Sequence, residues 1–573
     1  MAVVTVAVTG LALAGPAQAA PDRSSPDRTG TADREYIVVY TEGASAGAAR
    51  AAIRDSGGTL VRENAAVGVA TVRSSDPGFA DAADATTAIS GVAANRSIGA
   101  APSTGSRDRK AAVEKAGRGV EAGTKGRPSK PGKGEEPLAD LQWDMKMIHA
   151  TAGGSHKVEP GDRGVLVGVL DTGIDGSHPD IAPNFDRRLS RNFTVDIPVD
   201  ANGQEIDGPC EEEADRSCND PADEDPNDHG THTSSAIVAA RNGLGIAGVA
   251  PNVRVANLRA GQDSGFFFTQ ATVDALTYAG DVGVDVVNMS FFVDPWLFNC
   301  TDNPADSAAD RREQATIVKA VQRALTYARG HGVTLVNSAG NEAADYSKEF
   351  VDTGSPNFAD TPGEAPRERT IPPSCISMPS EGEGVIAISS LGISKRKAYY
   401  SSYGVGHADL SSPGGDAYDT ADQKVDLTRT TLAAYPKALA EERGELNPDG
   451  TPNVNYLVRD CKGDTCAYYQ WLQGTSMAAP RAAGVAALIV SKYGKRDKRH
   501  GGLTLDPRAT ERILRATATN TACPEPREFT YTRFVAQPDG TFRKVVSTAT
   551  CEGGRGDNGF YGDGIVDALR AVG

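Results

Sequence analysis

Positive charge is in short supply in this chain. Its 59 Lys and Arg residues face 75 Asp and Glu, for a formal net charge of −16 at pH 7. A surface of that sign repels phosphate backbones, so nucleic acid is not an expected partner; a soluble, secreted protein and cation binding both fit. Beyond residue 20 no stretch is long and apolar enough to cross a bilayer, which takes about 20 such residues. No Cys-x-x-Cys pair occurs, and no His lies at ligand spacing beside the eight cysteines. A structural zinc site therefore has no ligand set. An even cysteine count in an exported chain points instead to disulfides. Cys210–Cys218, Cys300–Cys375, Cys461–Cys466 and Cys523–Cys551 are the expected pairs, although sequence does not fix connectivity.

Export is suggested by residues 1–20, a small apolar stretch ending Pro16-Ala17-Gln18-Ala19-Ala20. It lacks a basic first segment but otherwise reads as a secretory signal peptide, and it is too short and too rich in Ala and Gly for a membrane anchor. At 573 residues the chain exceeds one simple core, so two or more units are expected. Its 63 glycines suit a loop-rich α/β protein better than a helical bundle.

After a polar stretch at 21–33, residues 34–98 read as a small α+β unit. Glu35–Tyr40 forms a strand, Ala46–Ser56 a helix stopped by Gly57-Gly58, Thr59–Val72 a hairpin, and Asp81–Ser90 a second helix stopped by Gly91. Residues 99–137 are rich in Gly, Pro, Ser and basic side chains without apolar period, and read as a flexible linker. From 138 to 573, strands at Val165–Leu170, Val284–Met289 and Thr334–Ser338 alternate with Ala-rich helical stretches. That alternation implies a mainly parallel sheet with helices on both faces. Residues 194–228, 342–375 and 414–470 look like surface insertions.

Three motifs carry chemistry, in the order Asp, His, Ser: Leu170-Asp171-Thr172-Gly173, His229-Gly230-Thr231-His232, and Gly474-Thr475-Ser476-Met477-Ala478-Ala479-Pro480. A serine hydroxyl needs a base to take its proton, and the base needs an anion to orient it and stabilise its charged form. Ser476 is the expected nucleophile, His229 the base and then acid, and Asp171 the orienting carboxylate at the C-terminal edge of a buried strand. Asp175 and Asp180 lie in the polar turn that follows. At the start of a helix, Ser476 meets exposed amides and the positive end of the helix dipole.

At these residues the chain resembles the subtilisin-like serine peptidases, the subtilases. The resemblance implies a three-layer α/β fold, with a mainly parallel central sheet over 138–573, preceded by a small α+β propeptide at 34–98 that assists folding and inhibits the enzyme. It assigns the first His of His229-Gly230-Thr231-His232 to catalysis and the second to structure. It also implies that Asn341, in Ser338-Ala339-Gly340-Asn341, donates its side-chain amide to an oxyanion hole. Ser290-Phe291-Phe292 would pair with substrate as an extended strand; Phe292 stands where the family has Gly, and its ring would narrow the pocket for the residue before the cut bond, one side of which Ser338-Ala339-Gly340 would line. Arg481 stands where a His usually follows the motif's Pro, with little effect expected. A structural Ca²⁺ is implied on Asp180, Asn242 and the carbonyls of Ala240, Leu244 and Ile246, with Gln142 or Asp140 as a further ligand. The acidic run at 211–225 is a weaker cation candidate. No catalytic cofactor is implied.

The function these readings point to is a secreted, extracellular serine endopeptidase, made as a zymogen and expected to be monomeric. Its partners would be peptide and protein substrates and its own propeptide. Two alternatives differ from this: a processing peptidase devoted to one secreted precursor, and a catalytically silent binding protein on the same scaffold.

Overall fold

A computed structural model describes residues 34–95, 113–116, 118, 132–199, 205–213, 216–358, 367–537 and 541–573. The signal peptide expected at 1–20 and most of the linker fall outside these residues.

The α+β unit contains β1 (Arg34–Tyr40), α1 (Ala46–Asp55), β2 (Thr59–Asn64), β3 (Val69–Ser74), α2 (Phe79–Asp84) and β4 (Ile89–Ala94), with its antiparallel sheet ordered β2-β3-β1-β4. The fourth strand corrects the sequence reading, in which Gly91 merely ended a helix. Gly91 is instead inside β4, pressed on the larger domain that follows so closely that a Cβ would lie 2.5 Å from Thr316 Oγ1.

The domain that follows is built on seven strands: β5 (Leu166–Leu170), β6 (Arg191–Asn192), β7 (Arg254–Arg259), β8 (Val286–Met289), β9 (Thr334–Ser338), β10 (Val385–Leu391) and β11 (Leu410–Pro413). Their order is β11-β10-β9-β8-β5-β7-β6, every neighbouring pair parallel. Alternation along each strand feeds two separate cores, because successive side chains leave opposite faces. Val167, Val169, Val286 and Val336 pack with helices α3 (His229–Val238) and α6 (Thr475–Tyr493). Leu166, Leu170, Val287 and Leu335 pack with α4 (Thr269–Val282) and α5 (Ala308–Gly330). Helix, sheet and helix thus form three layers.

The small unit sits on the outer face of α4 and α5. Arg323 Nη1 donates to Tyr40 O (2.8 Å), Asn64 Nδ2 to Asp274 Oδ1 (2.8 Å), and Arg62 pairs with Asp274 (2.5 Å). All four expected cysteine pairs are joined.

The insertions carry structure of their own. β12 (Thr431–Tyr435), β13 (Leu457–Lys462) and β14 (Thr465–Leu472) form a second sheet leading into α6, and β15 (Glu528–Ala536) pairs with β16 (Phe542–Thr550) in a long hairpin. Around the insertion at 194–228, Asp196, Asp220 and Asp263 surround the buried guanidinium of Arg259, so an arginine supplies the cation for that cluster.

Arg481 has a larger structural part than its distance from the triad suggested. Its side chain is fully buried and pairs with the equally buried Asp144 through Nε (2.6 Å) and Nη2 (2.5 Å), tying α6 to the domain's first residues. Removing one member of a buried pair strands the other's charge. Arg481→Met is therefore expected to cost about 3–5 kcal/mol of unfolding free energy, measured by denaturant titration. A loss below about 1 kcal/mol would show that Asp144 finds another partner or a proton.

Candidate active site

The parallel sheet places the ends of β5, β8 and β9 side by side, and the three motifs meet there. Asp171 follows β5 directly and is fully buried. Its Oδ1 accepts Thr172 N–H (2.8 Å) and faces His229 Nδ1 (2.7 Å); its Oδ2 accepts the Thr233 hydroxyl (3.0 Å). A buried carboxylate with three polar partners keeps the imidazole ring in one plane and stabilises its protonated form.

His229 is the first residue of α3. What fixes its entry is Asp225, whose carboxylate accepts the Thr172 hydroxyl (2.9 Å), Thr231 N–H (2.8 Å) and the Thr231 hydroxyl (2.6 Å). Burial raises the carboxyl pKa of Asp225 against these bonds. Gly230 belongs to the same close fit, since a Cβ there would stand 2.0 Å from Gly173 O. His232 lies fully buried one turn on. Burial first, then Arg481, lowers it to about 3, so it remains neutral and structural.

Ser476 is the second residue of α6, and its hydroxyl lies 3.2 Å from Ser290 O at the end of β8. Asn341, just past β9, is held by its acceptor: its Oδ1 takes Thr475 N–H (3.0 Å) and the Thr475 hydroxyl (2.8 Å). Its Nδ2 is thereby turned toward the space beside Ser476, where an oxyanion would form.

Next to this centre is a pocket of about 30 Å³, lined by Ser290, Phe291, Phe292, Leu297, Ser338, Gly340, Glu342, Ser377 and Ser380. Ala339 is not among its lining residues; it is buried just past β9, and its N–H donates to Ile388 O (3.0 Å). Phe291 stacks on Phe267 at 4.0 Å, whereas the Phe292 ring stands in the pocket wall. Glu342, next to Asn341, escaped the sequence reading, as did Leu297, Ser377 and Ser380, which loops far apart in the chain bring here. A second cavity, of about 600 Å³, borders the Asn341–Glu342 turn and is walled by Tyr399, Tyr418 and, from the β15–β16 hairpin, Arg533 and Val535.

The residues read as cation ligands also come together. Asp180 accepts Asn242 Nδ2 (3.1 Å), Ile246 N–H (3.2 Å) and the Tyr469 hydroxyl (2.7 Å), and burial raises its pKa. The carbonyls of the buried Ala240, Leu244 and Ile246 accept no hydrogen bond from the described residues. Buried, uncommitted oxygens around a carboxylate are a donor set suited to Ca²⁺. Gln142 is spent on Ala247, donating to its O (3.0 Å) and accepting from its N (3.2 Å), and Asp140 pairs with Lys146 (3.0 Å).

The chain is similar to known proteins. The profile of the subtilase family matches residues 162–564. Subtilisin DY of Bacillus licheniformis is 26% identical over 356 residues, spanning 62% of this chain and 84% of that protein. The nisin leader peptide-processing serine protease of Lactococcus lactis is 26% identical over 358 residues, spanning 62% of this chain and 44% of its own length. Other relatives are longer still: the chain spans 36% of a probable subtilase-type serine protease of Deinococcus radiodurans and 39% of fervidolysin of Fervidobacterium pennivorans. In fold, the crystal structure of the epidermin leader peptide processing serine protease from Staphylococcus aureus superimposes with a TM-score of 0.59 at 18% identity, covering 94% of this chain and 98% of that one. With its profile match lying across the catalytic domain, the chain belongs to the subtilase family of serine endopeptidases.

Proposed function

We propose that this protein is a secreted serine endopeptidase, made as a zymogen and cutting peptide bonds through an acyl-enzyme on Ser476. The observation that carries the reading is the 2.7 Å contact between Asp171 Oδ1 and His229 Nδ1, beside a serine at a helix start and an Asn341 amide fixed by its own oxygen.

The chemistry follows from those positions. Ser476 Oγ attacks the substrate carbonyl carbon while its proton passes to His229 Nε2, and Asp171 stabilises the imidazolium. The carbonyl oxygen becomes an oxyanion facing Asn341 Nδ2 and the amides at the start of α6. His229 then gives the proton to the leaving amine, and water releases the acyl group by the same steps in reverse order. A bound Ca²⁺ would take Asp180, Asn242 and the carbonyls of Ala240, Leu244 and Ile246, holding the loop after α3 in place; it takes no part in the reaction. Residues 34–95, seated on α4 and α5, fit the role of a propeptide.

A second reading is favoured by one feature, the narrow pocket. A space of about 30 Å³ admits no large side chain, which suits an enzyme devoted to a few sequences. Two relatives process leader peptides of nisin and epidermin. The test is a randomised peptide panel run on the wild type and Phe292→Gly. Cleavage by the wild type is expected only after small residues, and the variant is expected to gain about 10- to 200-fold in kcat/KM for large apolar ones. No cleavage by either protein, together with no fluorophosphonate labelling of Ser476, would overturn the peptidase reading. Equal use of large residues by the wild type would remove Phe292 as the gate.

A further inference from the structure

The segment between the small unit and the catalytic domain, expected to be a featureless linker, enters the catalytic centre. Residues Val113–Ala116 and Arg118 line the cleft, and the Glu114 side chain is 5% exposed. Its Oε1 accepts the Ser476 hydroxyl at 2.8 Å, with Asn341 Nδ2 at 3.5 Å and His229 Nε2 at 3.7 Å. All three groups that would act on a substrate are thus turned toward one carboxylate oxygen.

The neighbouring residues hold it there. Glu114 O accepts Gln473 N–H (3.2 Å), and Val113 O accepts Gln473 Nε2 (2.9 Å). Lys115 pairs with Asp228 at 3.2 Å, and Arg118 donates to Gln470 Oε1 (2.5 Å) with its guanidinium 4.0 Å above the Tyr456 ring. Asp228 is wholly buried beside His229. Burial alone would raise it, but Lys115, Arg118 and Arg443 hold its carboxyl well below the usual range. The segment therefore makes backbone, ionic and aromatic contacts on a surface that includes Asp228, Gln470 and Gln473.

We propose that this surface is a docking site for the chain's own residues Val113–Ala116 and Arg118, and that Glu114 is a latch which keeps the uncut protein latent. The latch rests on the reading of Ser476 as nucleophile. The backbone is curled there, with Ala116 N–H returning to Val113 O (3.3 Å), and among the described residues of the segment it is the Glu114 side chain, not a peptide carbonyl, that meets Ser476. A carboxylate is offered instead: its carbon is a poor electrophile, its oxygen fills the space of the oxyanion, and it draws the serine proton away from His229. The segment blocks the centre without being a substrate in this register. Tethering supplies the affinity, since a segment covalently joined to its site is present there at a high effective concentration. A cut in the chain beside the segment removes that advantage and releases the centre.

The test is the labelling rate of Ser476 by a fluorophosphonate, followed by intact mass so that only uncut chains are counted, in wild type, Glu114→Ala and Glu114→Gln. Uncut Glu114→Ala is expected to label about 10- to 100-fold faster than uncut wild type, the worth of one charge-assisted hydrogen bond, with Glu114→Gln in between. Equal rates for the three uncut proteins would overturn the latch while leaving the peptidase intact. So would a wild type that cuts itself within minutes of folding. Absence of labelling in every form would bring down the nucleophile assignment and the latch together.

Discussion

Ser476→Ala is expected to lower peptide turnover about a millionfold, the loss known for the corresponding change in subtilisin. The size of the effect comes from the way the triad acts as a unit. Without the hydroxyl, His229 has no proton to take and Asp171 no imidazolium to stabilise; what remains is the binding of substrate and the help of Asn341 to a water-borne attack. The residual rate should therefore still exceed the uncatalysed reaction by about 10³–10⁴. A further His229→Ala change on top of Ser476→Ala should cost almost nothing more, because the two residues serve one step. Steady-state hydrolysis of a chromogenic peptide checks both, with intact mass showing whether precursor and variant differ in self-cleavage. A variant within tenfold of wild type would mean that another residue is the nucleophile. Stability should barely move, since the hydroxyl's partners are Glu114 and Ser290 O rather than the core.

Much of the centre was legible because its parts are local. Asp171, His229, Ser476 and Asn341 each stand in a short motif whose strand or helix could be read from apolar runs, and the structure brings all four to one place. The strand read at Val165–Leu170 begins one residue later, as ends of buried strands carry no composition signal of their own. Residues 457–472 and 528–550 gave no such signal. Their strands alternate apolar and polar side chains weakly, and they are stabilised by contacts with partners far along the chain. Gly91 misled for a different reason: a glycine between Ser90 and Val92 looks like a stop, yet it is required where β4 touches Thr316. Arg481 and Glu114 mark the limit. Burial of a charge against Asp144, or of a carboxylate against Ser476, depends on how distant elements dock, which no local pattern encodes.

Asp171→Asn is the sharper test of the arrangement, since it removes a charge and almost no volume. Asp171 Oδ1 already accepts Thr172 N–H, so the asparagine oxygen is expected to keep that position and leave its NH₂ toward Thr233. Thr233 can receive it by turning its own proton to Gly230 O, 3.1 Å away. His229 then retains an acceptor at Nδ1, and the ring keeps its place. What it loses is the negative charge that stabilises the imidazolium formed as Ser476 attacks. Turnover is expected to fall about ten-thousandfold, as for the equivalent aspartates of other Asp-His-Ser enzymes, with KM unchanged because no substrate contact is touched. The thermal midpoint should stay near that of the wild type. If kcat fell less than tenfold, the carboxylate would be a mere prop for the ring; if KM rose instead, Asp171 would be shaping the cleft rather than the proton transfer. Only a large loss confined to kcat makes the buried charge of Asp171 part of the chemistry.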